Sequence, residues 1–98
     1  MNKLDKDQIL DFLRKNKELL AKEFGVTKIA LFGSYARDAQ TETSDIDLLI
    51  EAKEHIFRNR LKLKEFLEKA FGKSVDVGYF GTVRGFIMHH IQKDLIYA

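Results

Sequence analysis

Two apolar runs of β character stand close together in the chain, and the short polar stretch between them restricts the fold more than any other feature. Val26-Thr27-Lys28-Ile29-Ala30-Leu31-Phe32 is β-branched and apolar and stops at Gly33. Asp45-Ile46-Asp47-Leu48-Leu49-Ile50-Glu51 follows a polar loop, Asp38 to Ser44. Both read as strands. The connection has room for a short helical turn, Ser34 to Arg37, but not for the crossover helix that parallel neighbours require. The two strands are therefore predicted to pair antiparallel. The second is apolar on consecutive residues at its centre, as expected of a strand covered on both faces.

The remaining elements follow from periodicity. Lys6 to Glu23 reads as one helix, with Ile9, Phe12, Leu13, Leu20 and Phe24 near one face. Asp5 or Asp7 suits its N-cap and Gly25 its left-handed end. Phe57 to Phe71 is the clearest helix, with Leu63, Phe66, Leu67, Ala70 and Phe71 in an i, i+3, i+4 stripe and Gly72 just beyond. Ser74 to Phe80 reads as a third strand. Thr82 to Lys93 reads as a last helix with Thr82 as cap, and Asp94 to Ala98 as a short closing strand. A helix joins the second and third strands, so those two are expected to be parallel. The order gives a single α/β (α+β) domain over 1–98, a small mixed sheet flanked by helices.

Composition narrows the class. With 98 residues, 45% hydrophobic and 33% charged, the chain can build one core. It contains no cysteine, which excludes disulfides and thiolate metal sites. No segment is apolar enough to span a membrane, and the start lacks a secretory signal, both compatible with a cytoplasmic protein. A net charge of +2, with both signs interspersed, gives no strong nucleic-acid signature. Arg58, Arg60, Lys62 and Lys64 read as the wet face of their helix. His89 and His90 are adjacent on a helix and point in different directions, so they do not make a joint metal site.

The chemistry gathers at one edge of the predicted sheet. Antiparallel pairing puts the Gly33-Ser34 turn beside Asp45 and Asp47, two carboxylates two residues apart and so on one face. Carboxylates held together repel unless a cation sits between them, and Mg²⁺ prefers one or two carboxylates with waters and phosphates. Asp76, in Val75-Asp76-Val77, is an acid in an apolar strand next door. Three carboxylates there suffice for two metal ions and displacement at phosphorus. Glycine lets backbone approach a phosphate, and the Ser34 hydroxyl with backbone N–H groups makes an anion cradle. Arg37 then faces phosphate oxygens, braces the acidic cluster, or pairs with Asp38 or Glu42.

Gly33-Ser34 in "FGSYAR", Asp45-Ile46-Asp47 in "SDIDLLI" and Asp76 in "VDV" resemble the nucleotidyltransferases of the DNA polymerase β superfamily. More narrowly, the chain is similar to the minimal nucleotidyltransferase (MNT) domain from about Val26 to Tyr97. The resemblance implies the polymerase β-like fold, triphosphate binding by Gly33 and Ser34, with Arg37 beside them as a candidate nucleotide-binding residue, and Mg²⁺ binding by Asp45 and Asp47. It makes Asp76 a ligand of the catalytic metal and a helper in deprotonating the acceptor. It implies transfer of AMP from ATP to a hydroxyl, and an antitoxin role against a helical HEPN toxin as protein partner. One position departs from the pattern: the family's usual glycine after the arginine is Asp38. Aspartate tolerates a left-handed backbone, but its charge is expected to weaken nucleotide binding.

Two other functions fit the same residues. One is a binding antitoxin that acts by occlusion; the other is transfer to nucleic acid or an antibiotic, ranked last for want of further domains. Self-association or a stable hetero-complex is expected, with the apolar segment 86–98 as the contact.

Overall fold

The structure, a computed structural model, describes residues 4–53 and 57–98. Helix α1 spans Lys6–Lys15 and α2 spans Lys17–Phe24. Strand β1 is Val26–Phe32, followed directly by the one-turn helix α3, Gly33–Ala36. Strand β2 is Ile46–Ala52, α4 is Phe57–Phe71 and β3 is Val75–Tyr79. A 3₁₀ turn, Phe80–Thr82, leads to α5, Gly85–Ile91. A second 3₁₀ turn, Gln92–Asp94, leads to β4, Ile96–Tyr97.

The sheet order is β3-β2-β1-β4. β1 runs antiparallel to both β2 and β4, and β2 runs parallel to β3. The mixed sheet flanked by helices is the architecture the sequence predicts. Side chains alternate across it. Ile29, Leu31, Leu48, Ile50, Val75 and Val77 point to one face and form the core with Ile9 and Leu13 of α1, Leu20 of α2 and Leu63 and Leu67 of α4. Each such fully buried side chain contributes about 1.5–3 kcal/mol relative to exposure. Phe12, Phe24, Phe66 and Phe71 close the helical layer, with ring centroids 5.1–6.1 Å apart. These phenylalanines are packing groups, as their spacing implied.

Several boundaries differ from the sequence reading, each for a local reason. The N-terminal helix is two helices. Asn16 leaves helical geometry (φ −105°, ψ 17°), and its Nδ2 donates to the Phe12 carbonyl at 2.8 Å, ending α1. Asp5, not Asp7, caps α1 in a capping box with Gln8. The last helix is shorter than read. Thr82 does not cap it: the Thr82 hydroxyl donates to the Tyr79 carbonyl at 3.0 Å, and α5 begins only at Gly85. Arg60 is not on the wet face of α4: it is half-buried, and its Nη1 donates to the Val77 carbonyl of edge strand β3 at 2.8 Å. Among the described residues, no helix is long and apolar enough to cross a membrane.

Candidate active site

The face of the sheet opposite the core carries the acids. Strand register sets Phe32, Asp47 and Asp76 in one row across β1, β2 and β3. The next row is Tyr97, Ala30, Leu49 and Gly78. Asp47 and Asp76 are thus direct neighbours on parallel strands, as the sequence predicts. Asp45 is a correction: β2 begins at Ile46, so Asp45 lies just ahead of the strand, exposed at the mouth of the row. The Ile46 amide donates to the Ser74 carbonyl at 2.9 Å, joining the start of β2 to the residue before β3.

Gly33 sits directly against Asp47. Its backbone is left-handed (φ +77°), and a Cβ built on it would overlap Asp47 Oδ2 and stand 3.1 Å from Asp47 Cγ. Only glycine lets the chain turn out of β1 at this point without displacing the carboxylate. α3 then folds the backbone over, with the Ala39 amide donating to the Ser34 carbonyl at 2.9 Å. Tyr35 anchors this turn in the core at 1% exposure. Ser34 is half-buried beside Gly33.

The electrostatics mark Asp47 as the central acid. It is half-buried, and desolvation pushes its pKa above the ordinary carboxylate value. Asp76 and then Asp45 push it further in the same direction, while Arg37 opposes them. A carboxylate that is crowded by like charges and partly desolvated favours a cation beside it. The donor set is all hard oxygen, which suits Mg²⁺ with its waters and the phosphates of a substrate. Among the described residues no three acidic or imidazole side chains converge as a ready-made metal cage.

Arg37 pairs with neither Asp38 nor Glu42. Its Nη1 donates to Asp94 Oδ2 at 3.1 Å, across 57 positions. Asp38 adopts φ +56°, a left-handed backbone, at the position where the resemblance implied a glycine. Its carboxylate accepts from Lys6 Nζ at 3.0 Å, so its charge is paired with a cation on α1. The loop beyond is closed by Ser44 Oγ accepting from the Thr41 amide at 2.9 Å, and Lys73 Nζ donates to the Glu42 carbonyl at 3.1 Å. Sequence reasoning missed Lys6, Lys73 and Asp94. No local pattern points to them, because each meets the site only through the tertiary fold.

The family model described as a nucleotidyltransferase domain matches residues 9–97. The chain belongs to this family. It is accordingly a nucleotidyltransferase. A protein of Methanocaldococcus jannaschii, provisionally named a protein adenylyltransferase, is 43% identical over 95 residues, covering 93% of this chain and 95% of its own. The protein adenylyltransferase MntA of Thermococcus cleftensis is 31% identical over 99 residues, covering 100% of both chains. A solved structure provisionally described as a minimal nucleotidyltransferase superposes with a TM-score of 0.78 at 26% identity, covering 95% of each chain. A solved complex of the tri-AMPylated HEPN toxin of Shewanella oneidensis with an MNT antitoxin shares the fold. Its TM-score is 0.61 at 22% identity, over 86% of this chain and 66% of that one. The minimal nucleotidyltransferase class and its fold, read from "FGSYAR", "SDIDLLI" and "VDV", are those of these proteins.

Proposed function

We propose that this nucleotidyltransferase uses ATP and Mg²⁺ to transfer AMP to a hydroxyl of a HEPN-type toxin, and so acts as its antitoxin. The carrying observation is the pairing of Asp47 with Asp76 across β2 and β3, with Gly33 packed against Asp47. The names of the relatives support the adenylyl group, and the AMPylated toxin complex supports the kind of acceptor.

Each residue has a role its position allows. Gly33 keeps the turn beside Asp47 free of a side chain, so that its backbone approaches the phosphates, and the Ser34 hydroxyl hydrogen-bonds the triphosphate oxygens. Arg37 supplies a fixed positive charge at the rim. Asp45 and Asp47 hold Mg²⁺, one ion or two, with Asp76 as the third carboxylate. Bound there, the metal supplies Lewis-acid neutralisation of the phosphate charge. Asp76 is exposed and so open to an incoming hydroxyl, whose proton it accepts. The acceptor oxygen bonds to the α-phosphorus as the α–β phosphoanhydride breaks, and pyrophosphate leaves. Asp45 and Asp76 face solvent, so the acceptor protein itself forms the missing wall of the site.

Substituting both Asp45 and Asp47 with asparagine separates catalysis from occlusion. The expected result is loss of toxin neutralisation with binding to the toxin retained. Unchanged neutralisation by the double variant would instead establish an antitoxin that acts by covering its target.

A further inference from the structure

Arg37 stands where an unrestrained arginine has a strong alternative. The Asp47 carboxylate, paired with Asp76 across β2 and β3, feels the charge of Arg37, which opposes the rise in its pKa. A long, mobile guanidinium next to such a cluster is drawn onto it. There it would occupy the charge that a divalent cation needs. The structure shows it elsewhere, on Asp94.

Asp94 is well placed to hold it. It ends the 3₁₀ turn Gln92–Asp94, and its side chain is 25% exposed against 51% for Arg37. Two residues later β4 pairs with β1, Ile96 opposite Leu31 and Tyr97 opposite Ala30. The Ala98 amide donates to the Ile29 carbonyl at 3.0 Å, and Arg14 Nη2 donates to the Tyr97 carbonyl at 3.3 Å. Asp94 thus stands just ahead of β4, and β4 pairs with β1, the strand that delivers Gly33 and Arg37.

We propose that Asp94 is a positioning residue for nucleotide binding. It holds the Arg37 guanidinium at the rim of the site, off the acidic cluster, with donors left for the phosphates of a nucleoside triphosphate. A guanidinium has five N–H donors in a fixed fork, so one bond to Asp94 leaves the others for a second anion. The inference rests on reading Gly33 to Arg37 as the triphosphate site. Asp94 acts through Arg37 and touches no substrate.

The test is calorimetric binding of Mg²⁺–ATP without any acceptor, to wild type, D94N, D94E, R37Q and the double variant R37Q/D94N. D94N is expected to weaken binding about 2–5-fold, the range open to one partly exposed ion pair. D94E, which keeps the acid, is expected to restore most of it. In the R37Q background, D94N is expected to have no further effect, a non-additivity that a purely structural role of Asp94 would not give. Equal or tighter binding by D94N, or a D94N loss that persists in R37Q, overturns the proposal alone. A wild-type protein that binds no Mg²⁺–ATP overturns the triphosphate reading beneath it as well.

Discussion

Gly33 and Asp47 meet across the β1–β2 pair so closely that no side chain fits between them unless the acid moves: a Cβ on Gly33 would overlap Asp47 Oδ2. The turn that ends β1 and the acid that opens β2 therefore form one unit. Gly33→Ala must adopt φ near +77° and displace that carboxylate. The left-handed backbone alone costs about 1–2 kcal/mol. Urea denaturation should show a loss of at least that size, and nucleotidyl transfer should fall more steeply than stability.

Asp47 itself carries a trade between stability and function. Its native pKa lies above the ordinary value of about 3.9, so the native state binds its proton more tightly than the unfolded chain does. Stability from this group is accordingly lost as pH rises from the ordinary value through the raised one, and the deficit persists above it. In metal-free protein, Asp47→Asn is expected to raise Tm at pH 7 and to change it little below the ordinary carboxylate value. Partial exposure holds the gain under about 1 kcal/mol. Adding Mg²⁺–ATP should raise the Tm of wild type and leave that of the variant nearly unmoved. Melting curves with EDTA and with Mg²⁺–ATP, at two pH values, check all three statements.

Asp38 holds a left-handed backbone at φ +56°, and Lys6 pairs with its charge. Asp38→Gly should fold with unchanged or slightly higher stability, whereas Asp38→Ala should lose about 1 kcal/mol, because alanine is strained there without the local tolerance of aspartate. Lys6→Ala leaves the Asp38 charge uncompensated and should weaken Mg²⁺–ATP binding more than Asp38→Gly does. Denaturation curves and calorimetry on the three variants decide the matter.

Much of this was legible before the structure. The Val26–Phe32 and Ile46–Ala52 strands are marked by composition, and their short connection forces antiparallel pairing. The α4 stripe of Leu63, Phe66 and Leu67 ends at Gly72, whose φ of +66° fits the role read for it. The register of Asp47 with Asp76 follows once β2 and β3 are known to be parallel. Other features depend on distant contacts. Arg37 had acids nearer in sequence, yet it pairs with Asp94, which β4 brings in from the far end of the chain. Asp38 looked like a liability because Lys6 is 32 positions away. The break at Asn16 is a local event that the apolar stripe concealed: the stripe continues through it, while the Asn side chain competes for the Phe12 carbonyl.

That competition is itself testable. Asn16→Ala removes a partly buried hydrogen bond at the α1–α2 junction. A loss of about 0.5–1.5 kcal/mol in urea denaturation is expected, with nucleotide binding unaffected.

The most direct test of the central claim is label transfer. Purified protein, α-labelled ATP and Mg²⁺ are mixed with extract from the source cells, with Asp47→Asn as the control. The account predicts one labelled protein band, of HEPN type, that is absent with the variant and absent with EDTA. No labelled band from wild-type protein that still captures a HEPN-type partner from the same extract would contradict transfer and leave an antitoxin acting by occlusion.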